Sequence, residues 1–253
     1  MLTYPAATTR EEKIHIIGQI KDRLLQQHGE TILAIGLYGS IAQGIDGPYS
    51  DIELLVVTKD GISLPDYEFI YLPFKIEISM NQKHEVCQCA TAVDDSWAIK
   101  AGVYTHLEAI YDPTGLLDQI RALSKQISKE AIRETMREFM IWEPYETMGK
   151  IRNNKIAGND SYLPLGAKDL AWQTAKLIGL ANRTFYNTRA QTYEESLRMP
   201  SRPSGYDELV ELMMRGQLHD TEVVYKRCEC LWTGLNEWYE KMGIDYKVKE
   251  FPF

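Results

Sequence analysis

Ala34-Ile35-Gly36-Leu37-Tyr38-Gly39-Ser40 and, after a further ten residues, Asp51-Ile52-Glu53-Leu54-Leu55-Val56-Val57 are the stretches from which the rest of the chain can be read. Each is an apolar run, and Asp46-Gly47-Pro48-Tyr49-Ser50 between them is a turn. The strand period of two puts Asp51 and Glu53 on one face and Ile52 and Leu54 on the other. Two like charges side by side repel, and a divalent cation with oxygen ligands is the usual remedy. Gly39 lets the backbone approach another group closely, and Ser40 offers a hydroxyl and an N–H to an anion. A third alternating run, Phe74-Lys75-Ile76-Glu77-Ile78-Ser79-Met80, projects Glu77 with Lys75 and Ser79 on one face. A lone acidic strand is compatible with a solvated face, and a lone Gly-Ser with a turn. Their combination points to a phosphate held beside a carboxylate-bound metal, and so to phosphoryl or nucleotidyl chemistry.

Composition sets the outer limits. Of 253 residues, 44% are hydrophobic and 25% charged, the balance of a globular protein with one large or two modest domains. No apolar stretch reaches the roughly 20 residues that span a bilayer. The opening Met1-Leu2-Thr3-Tyr4-Pro5-Ala6-Ala7 lacks the basic start and apolar core of a signal peptide, so a cytoplasmic location is expected. A net charge of −8 argues against tracking nucleic acid and suits a small cationic substrate. The cysteines form two C-x-C pairs, Cys87/Cys89 and Cys228/Cys230. Structural zinc favours wider spacing, and helical positions i and i+2 point apart, so free thiols are expected.

In chain order, Thr9 with Glu12 is a capping box that opens a helix, with its charged residues on a solvated face and Gly29 as a left-handed stop. Ile32 to Met80 should hold the strands of a mixed sheet of about five. Asn81 is the expected cap of a helix running to about Ala92. In Asp94-Asp95-Ser96-Trp97, the carboxylates beside an indole fit either an ammonium ligand or a capped loop. Asp112-Pro113 reads as a helix start. Strand signals then cease, and a domain boundary is expected near residue 127. Ser128 opens a helix along Ile132, Met136, Phe139 and Met140, followed by Trp142-Glu143-Pro144-Tyr145-Glu146, with Pro144 read as a mid-helix kink. Glu146 and Lys150 share a face at i, i+4. Further helices are expected from Pro164 to about Tyr186, from Tyr206 to Arg215 with Gly216 as its stop, and from a cap at Asp220 to Lys241. Their apolar stripes suit a bundle.

Gly39-Ser40, Asp51-Ile52-Glu53 and Ile76-Glu77-Ile78 resemble the signature of the polymerase-β-type nucleotidyltransferases. With Asp46-Gly47-Pro48-Tyr49-Ser50 and the late Pro203-Ser204-Gly205-Tyr206-Asp207, the whole length resembles the kanamycin, or 4′-type aminoglycoside, nucleotidyltransferases. The resemblance implies an α/β nucleotidyltransferase domain with a mixed sheet over residues 1–127, then an all-helical domain over 128–253 carrying the catalytic base. It implies transfer of a nucleoside monophosphate from a Mg²⁺-bound nucleoside triphosphate, ATP expected, to an aminoglycoside hydroxyl. Asp51, Glu53 and Glu77 would be the metal site, and Gly39, Ser40, Gln43 and Thr188 would line the nucleotide. Glu146 would be the base and Lys150 its cationic companion, while Asp95, Glu143 and Glu77 would receive the substrate's ammonium groups. Gln43 stands where the family carries an arginine, and a glutamine cannot pair a triphosphate by charge. A homodimer is also implied. Another hydroxyl acceptor, such as a protein side chain, and a catalytically inert nucleotide-binding module are the alternatives.

Overall fold

The structure, a computed structural model, describes residues 4–253; Met1, Leu2 and Thr3, the start of the stretch without leader character, lie outside the described residues. The chain forms two compact units, the first running up to Ala92 and resuming over Lys100–Ile127, the second made of Val93–Ile99 and Ser128–Phe253. Among the described residues, no helix is long and apolar enough to cross a membrane.

The first unit is built on a five-stranded mixed sheet. Its strands are β1 (Ile32–Tyr38), β2 (Ile52–Thr58), β3 (Tyr67–Tyr71), β4 (Phe74–Gln82) and β5 (Glu108–Tyr111), in the order β3-β4-β2-β1-β5. Only β2 and β4 are parallel; the other pairs are antiparallel. β1 and β2 are apolar on both faces because both faces are covered. On one face, Ile17 and Leu24 of α1 (Arg10–His28) join Ile35, Leu37, Ile52, Leu54, Ile76 and Ile78. On the other, Ala34, Leu55 and Val57 meet Val86 of α2 (Lys83–Thr91) and Leu117 and Ile120 of α3 (Leu116–Leu123). Gly36 faces this second layer, where a Cβ would stand 2.7 Å from a Leu107 methyl.

The second unit is helical. Its longer helices are α4 (Lys129–Trp142), α5 (Pro144–Ile156), α6 (Leu163–Asn182), α7 (Tyr206–Met214) and α8 (Thr221–Lys241). α6 is its axis, with Leu170, Ala171, Ala175, Leu177 and Ile178 wholly buried. Cys228, in α8, is also fully buried, and burial pushes its thiol up to about 12. Ser128 and Asp220 cap α4 and α8 as the sequence leads one to expect, and Gly216 and Gly243 take left-handed conformations at the stops of α7 and α8.

Several local expectations are corrected. Gly29 stays right-handed, closing α1 with an ordinary bond to the Leu25 carbonyl. β4 continues through Asn81, so the cap of α2 is Gln82, in a reciprocal box with Glu85. Pro113 starts no helix; Asp112 instead accepts from the Leu116 and Leu117 amides at the head of α3. Pro144 does not kink a helix. It is the first residue of α5, after α4 has ended at Trp142, a position where the missing N–H costs nothing. Finally, the α1 face is not wholly solvated, since Lys13 is buried.

Candidate active site

Sheet register assembles the acidic cluster. Tyr38 lies opposite Glu53 across β1 and β2, Glu53 opposite Glu77 across β2 and β4, and Glu77 opposite Glu68 across β4 and β3. Three carboxylates and a phenol therefore form one row across four strands. The Tyr38 hydroxyl donates to Glu77 Oε1 at 3.1 Å. Burial drives the Tyr38 phenol far above its ordinary value, and Glu77 and Glu53 add to the effect, so it stays a donor.

Asp51 sits just ahead of β2, and Lys75 supplies the cluster's counter-charge. Its ammonium is 2.9 Å from Glu68, 3.6 Å from Asp51 and 4.0 Å from Glu77. Glu53 is less well compensated. Burial first, then Asp51 and Glu77, lift its carboxyl to about 7 against the pull of Lys75. A carboxylate so placed is a group that a cation would relieve.

Gly39 makes this packing possible. It takes a φ of +71°, and a Cβ there would lie 1.7 Å from Glu53 Oε2. The Glu53 carboxylate thus rests on the backbone at the Gly39-Ser40 turn. Gln43, at the end of that turn, donates to the Gly39 carbonyl at 3.3 Å.

Among the described residues, no three His, Cys, Asp or Glu side chains form a cage able to hold a metal ion alone. The thiols of the C-x-C pairs are free. Mg²⁺ needs no such cage, since it binds through one or two carboxylates and completes its shell with water and substrate phosphates. Asp51 and Glu53 are a donor set of that kind.

The loop from Ser40 to Asp51 is tied to the start of α1. Arg10 and Lys13 share a helical face and both grip Asp46. Arg10 Nη1 bonds Asp46 Oδ1, and Lys13 Nζ lies 3.0 Å from Asp46 Oδ2 and 2.5 Å from the Gly47 carbonyl. Arg10 Nη2 reaches the Ile41 carbonyl at 3.0 Å, and Thr8 donates to the Pro48 carbonyl from its amide and hydroxyl. The Lys13 and Asp46 side chains are 1% and 5% exposed. Burial alone would raise the Asp46 carboxyl, but the hydrogen bonds from Lys13 and Arg10 prevail and hold it low. Arg10, Lys13 and Asp46 carried no functional expectation from the sequence.

In the second unit, Glu146 and Lys150 form an i, i+4 ion pair of 2.8 Å on the exposed face of α5. Its hydrogen bond raises the Lys150 ammonium above its ordinary value. Glu143 accepts from Gln173 Nε2 at 2.8 Å, and that buried amide also donates to Thr147 Oγ1 at 2.9 Å. Asp95 is ion-paired to Lys176, whose ammonium stands 4.4 Å above the Phe139 ring. The cation facing Asp95 thus belongs to the chain itself, and the ring beneath that cation is Phe139 rather than Trp97. Asp94 caps its own loop by accepting from the Ser96 amide at 2.8 Å. Thr188 caps the short turn that follows it, its hydroxyl accepting from the Gln191 amide. Lys176 and Gln173 carried no expectation from the sequence.

A mixed sheet with Gly-Ser at the end of one strand, and carboxylates in register on the next two, is the architecture of a nucleotidyltransferase. A nucleotidyltransferase-like protein from Exiguobacterium sibiricum has the same fold, with a TM-score of 0.55 at 11% identity over 89% of this chain and 75% of the other. Residues 114–245 match the KNTase C-terminal domain family. Two aminoglycoside nucleotidyltransferases (4′), from Staphylococcus aureus and a Bacillus species, are each 33% identical over 98% of this chain and 99% of their own length. The chain belongs to the aminoglycoside 4′-nucleotidyltransferase family.

Proposed function

We propose that this enzyme transfers a nucleoside monophosphate from a nucleoside triphosphate, with ATP as the expected donor, to the 4′-hydroxyl of an aminoglycoside. Pyrophosphate leaves, and the modified drug loses potency. Family membership over the whole length supports the substrate class. Within the structure, the observation that carries the reaction is the Asp51–Glu53–Glu77 cluster packed on Gly39.

Asp51 and Glu53 would hold Mg²⁺ with the triphosphate. When bound, the metal supplies neutralisation of charge on the phosphate oxygens. Gly39 and Ser40 seat the phosphates, with Thr188 as a further hydroxyl toward the nucleotide. Gln43 contributes hydrogen bonds but no charge, and Lys75, 3.6 Å from Asp51, is a source of positive charge beside the metal carboxylates. Glu146 takes the proton of the attacking hydroxyl, and Lys150 supplies a compact positive charge to the α-phosphate. Glu77, Asp95 and Glu143 receive ammonium groups of the acceptor, so Lys176 must yield or share Asp95. The working form is a cytoplasmic homodimer, to be checked by sedimentation.

The deciding experiment incubates the enzyme with labelled ATP, Mg²⁺ and a panel of aminoglycosides. Label on kanamycin, with a nucleotidyl adduct at the 4′ position by mass spectrometry, is the expected result. No adduct on any 4′-hydroxyl compound refutes the assignment.

A further inference from the structure

We infer that Lys13 and Arg10 are positioning residues for nucleotide binding, acting through Asp46 to set the distance between the Gly39-Ser40 turn and Asp51. The inference rests on the functional reading above for its consequence in catalysis, but not for the clamp itself.

The loop Ile41–Ser50 joins two parts that must act together: the turn that seats phosphates and the carboxylate that holds their metal. A loop of this length is free to drift unless its backbone is pinned. Here it is pinned repeatedly from α1 and its approach, at Ile41 by Arg10, at Asp46 by Arg10 and Lys13, at Gly47 by Lys13 and at Pro48 by Thr8. Its own bonds are short-range: the Gln43, Gly44 and Ile45 amides donate to the Gly39, Ile41 and Ser40 carbonyls, the Ser50 amide to the Gly47 carbonyl, and the Gly47 amide to the Ser50 hydroxyl.

Burial of the pair is the informative part. A lysine buried to 1% exposure is a costly way to anchor a loop, because the ammonium must be fully compensated. Lys13 is compensated by one carboxylate and one carbonyl, both from this loop. The anchor therefore works only with the loop in this one position. The α1 cations Arg10 and Lys13 bind Asp46 rather than the proposed metal carboxylates, and Asp46 lies five residues before Asp51. Misplacement of a reacting group by about 1 Å can cost on the order of 10²-fold.

The test uses Lys13→Met and Arg10→Gln in the full chain. Amide hydrogen exchange over residues 41–51 and steady-state kinetics with Mg-ATP are read well below the melting temperature of each variant. Faster exchange over 41–51 is expected, with α8 unchanged, and kcat/KM for Mg-ATP should fall about 10- to 100-fold. A role confined to overall stability would lower the melting temperature and leave both readings at the wild-type level, and that result overturns the inference. Should Lys13→Met fail to fold, Arg10→Gln carries the test alone, since Arg10 is half exposed and its loss leaves Lys13 paired. If the wild type transfers no nucleotide, the functional reading falls, while exchange over 41–51 still decides whether the clamp exists.

Discussion

Replacing Glu53 by glutamine should stabilise the metal-free protein while it abolishes the reaction. Burial, then Asp51 and Glu77, lift the Glu53 carboxyl from 4.5 to about 7. A carboxyl raised in the folded chain holds its proton more tightly there than in the unfolded chain. Its favourable contribution is complete below 4.5 and is lost as the pH rises through about 7. A tenfold change in proton affinity is worth about 1.4 kcal/mol, so ionising Glu53 in place costs about 3 kcal/mol at most. The side chain is only half-buried, and solvent screening reduces this to about 1–2 kcal/mol. In a chain of this size that corresponds to about 2–8 °C in melting temperature. Thermal melting in EDTA at about pH 8 should place Glu53→Gln above the wild type by this margin. Below pH 4.5 the two should converge, because Glu53 is then protonated in the folded and the unfolded chain alike. Mg-ATP should raise the wild-type melting temperature and leave the variant unmoved. A variant that melts below the wild type at pH 8 would refute the reasoning, because the carboxylate would then be supporting the fold. An equal gap at both pH values would refute it too, because charge would not be the cause.

Other substitutions address the remaining roles. Asp51→Asn should abolish transfer without unfolding the chain, since its side chain is 39% exposed; near-normal turnover at saturating Mg²⁺ would remove Asp51 from the metal site. Gly39→Ala should cost about 1–2 kcal/mol from the left-handed backbone alone, and should displace Glu53, whose Oε2 lies 1.7 Å from the new Cβ. Turnover at the wild-type level would show that the Gly39 contact is dispensable. Glu146→Gln should lower kcat by about 10²–10⁴-fold; if only nucleotide affinity falls, Glu146 is a binding residue and the base lies elsewhere. A 4′-deoxy aminoglycoside should bind competitively and accept no nucleotide, and mass spectrometry showing an adduct on it would exclude strict 4′ selectivity.

The sequence exposes what is local. The apolar run Ile32–Tyr38, the Asp51-x-Glu53 pattern and the alternation of Phe74–Met80 are legible because strand period and turn chemistry act over a few residues. That Glu77 aligns with Glu53 is not, because a parallel register is set by core packing between strands separated by a crossover. Lys13 is misread for a similar reason. A lysine in the first turn of an amphipathic helix is ordinarily solvated, and its partner Asp46 lies 33 residues away. Asp95 reads as available for a ligand because Lys176, 81 residues on, gives no local sign of its approach. Pro144 shows the opposite error. Continuous helical periodicity on both sides hides a break that the proline itself signals, since a proline at a first helical position and one inside a helix look alike in sequence.

The sealed thiol in α8 turns the chain into its own reporter of opening. Cys89 and Cys230 are exposed and Cys87 partly so, while Cys228 has no accessible surface. Only the thiolate reacts with an alkylating reagent, and a thiol held near 12 yields almost none at neutral pH. Alkylation of Cys228 must therefore wait for the helical unit to come apart around it. With the outer cysteines replaced, the rate of labelling at that one sulfur measures how often the unit opens under native conditions, without denaturant and without any activity to follow.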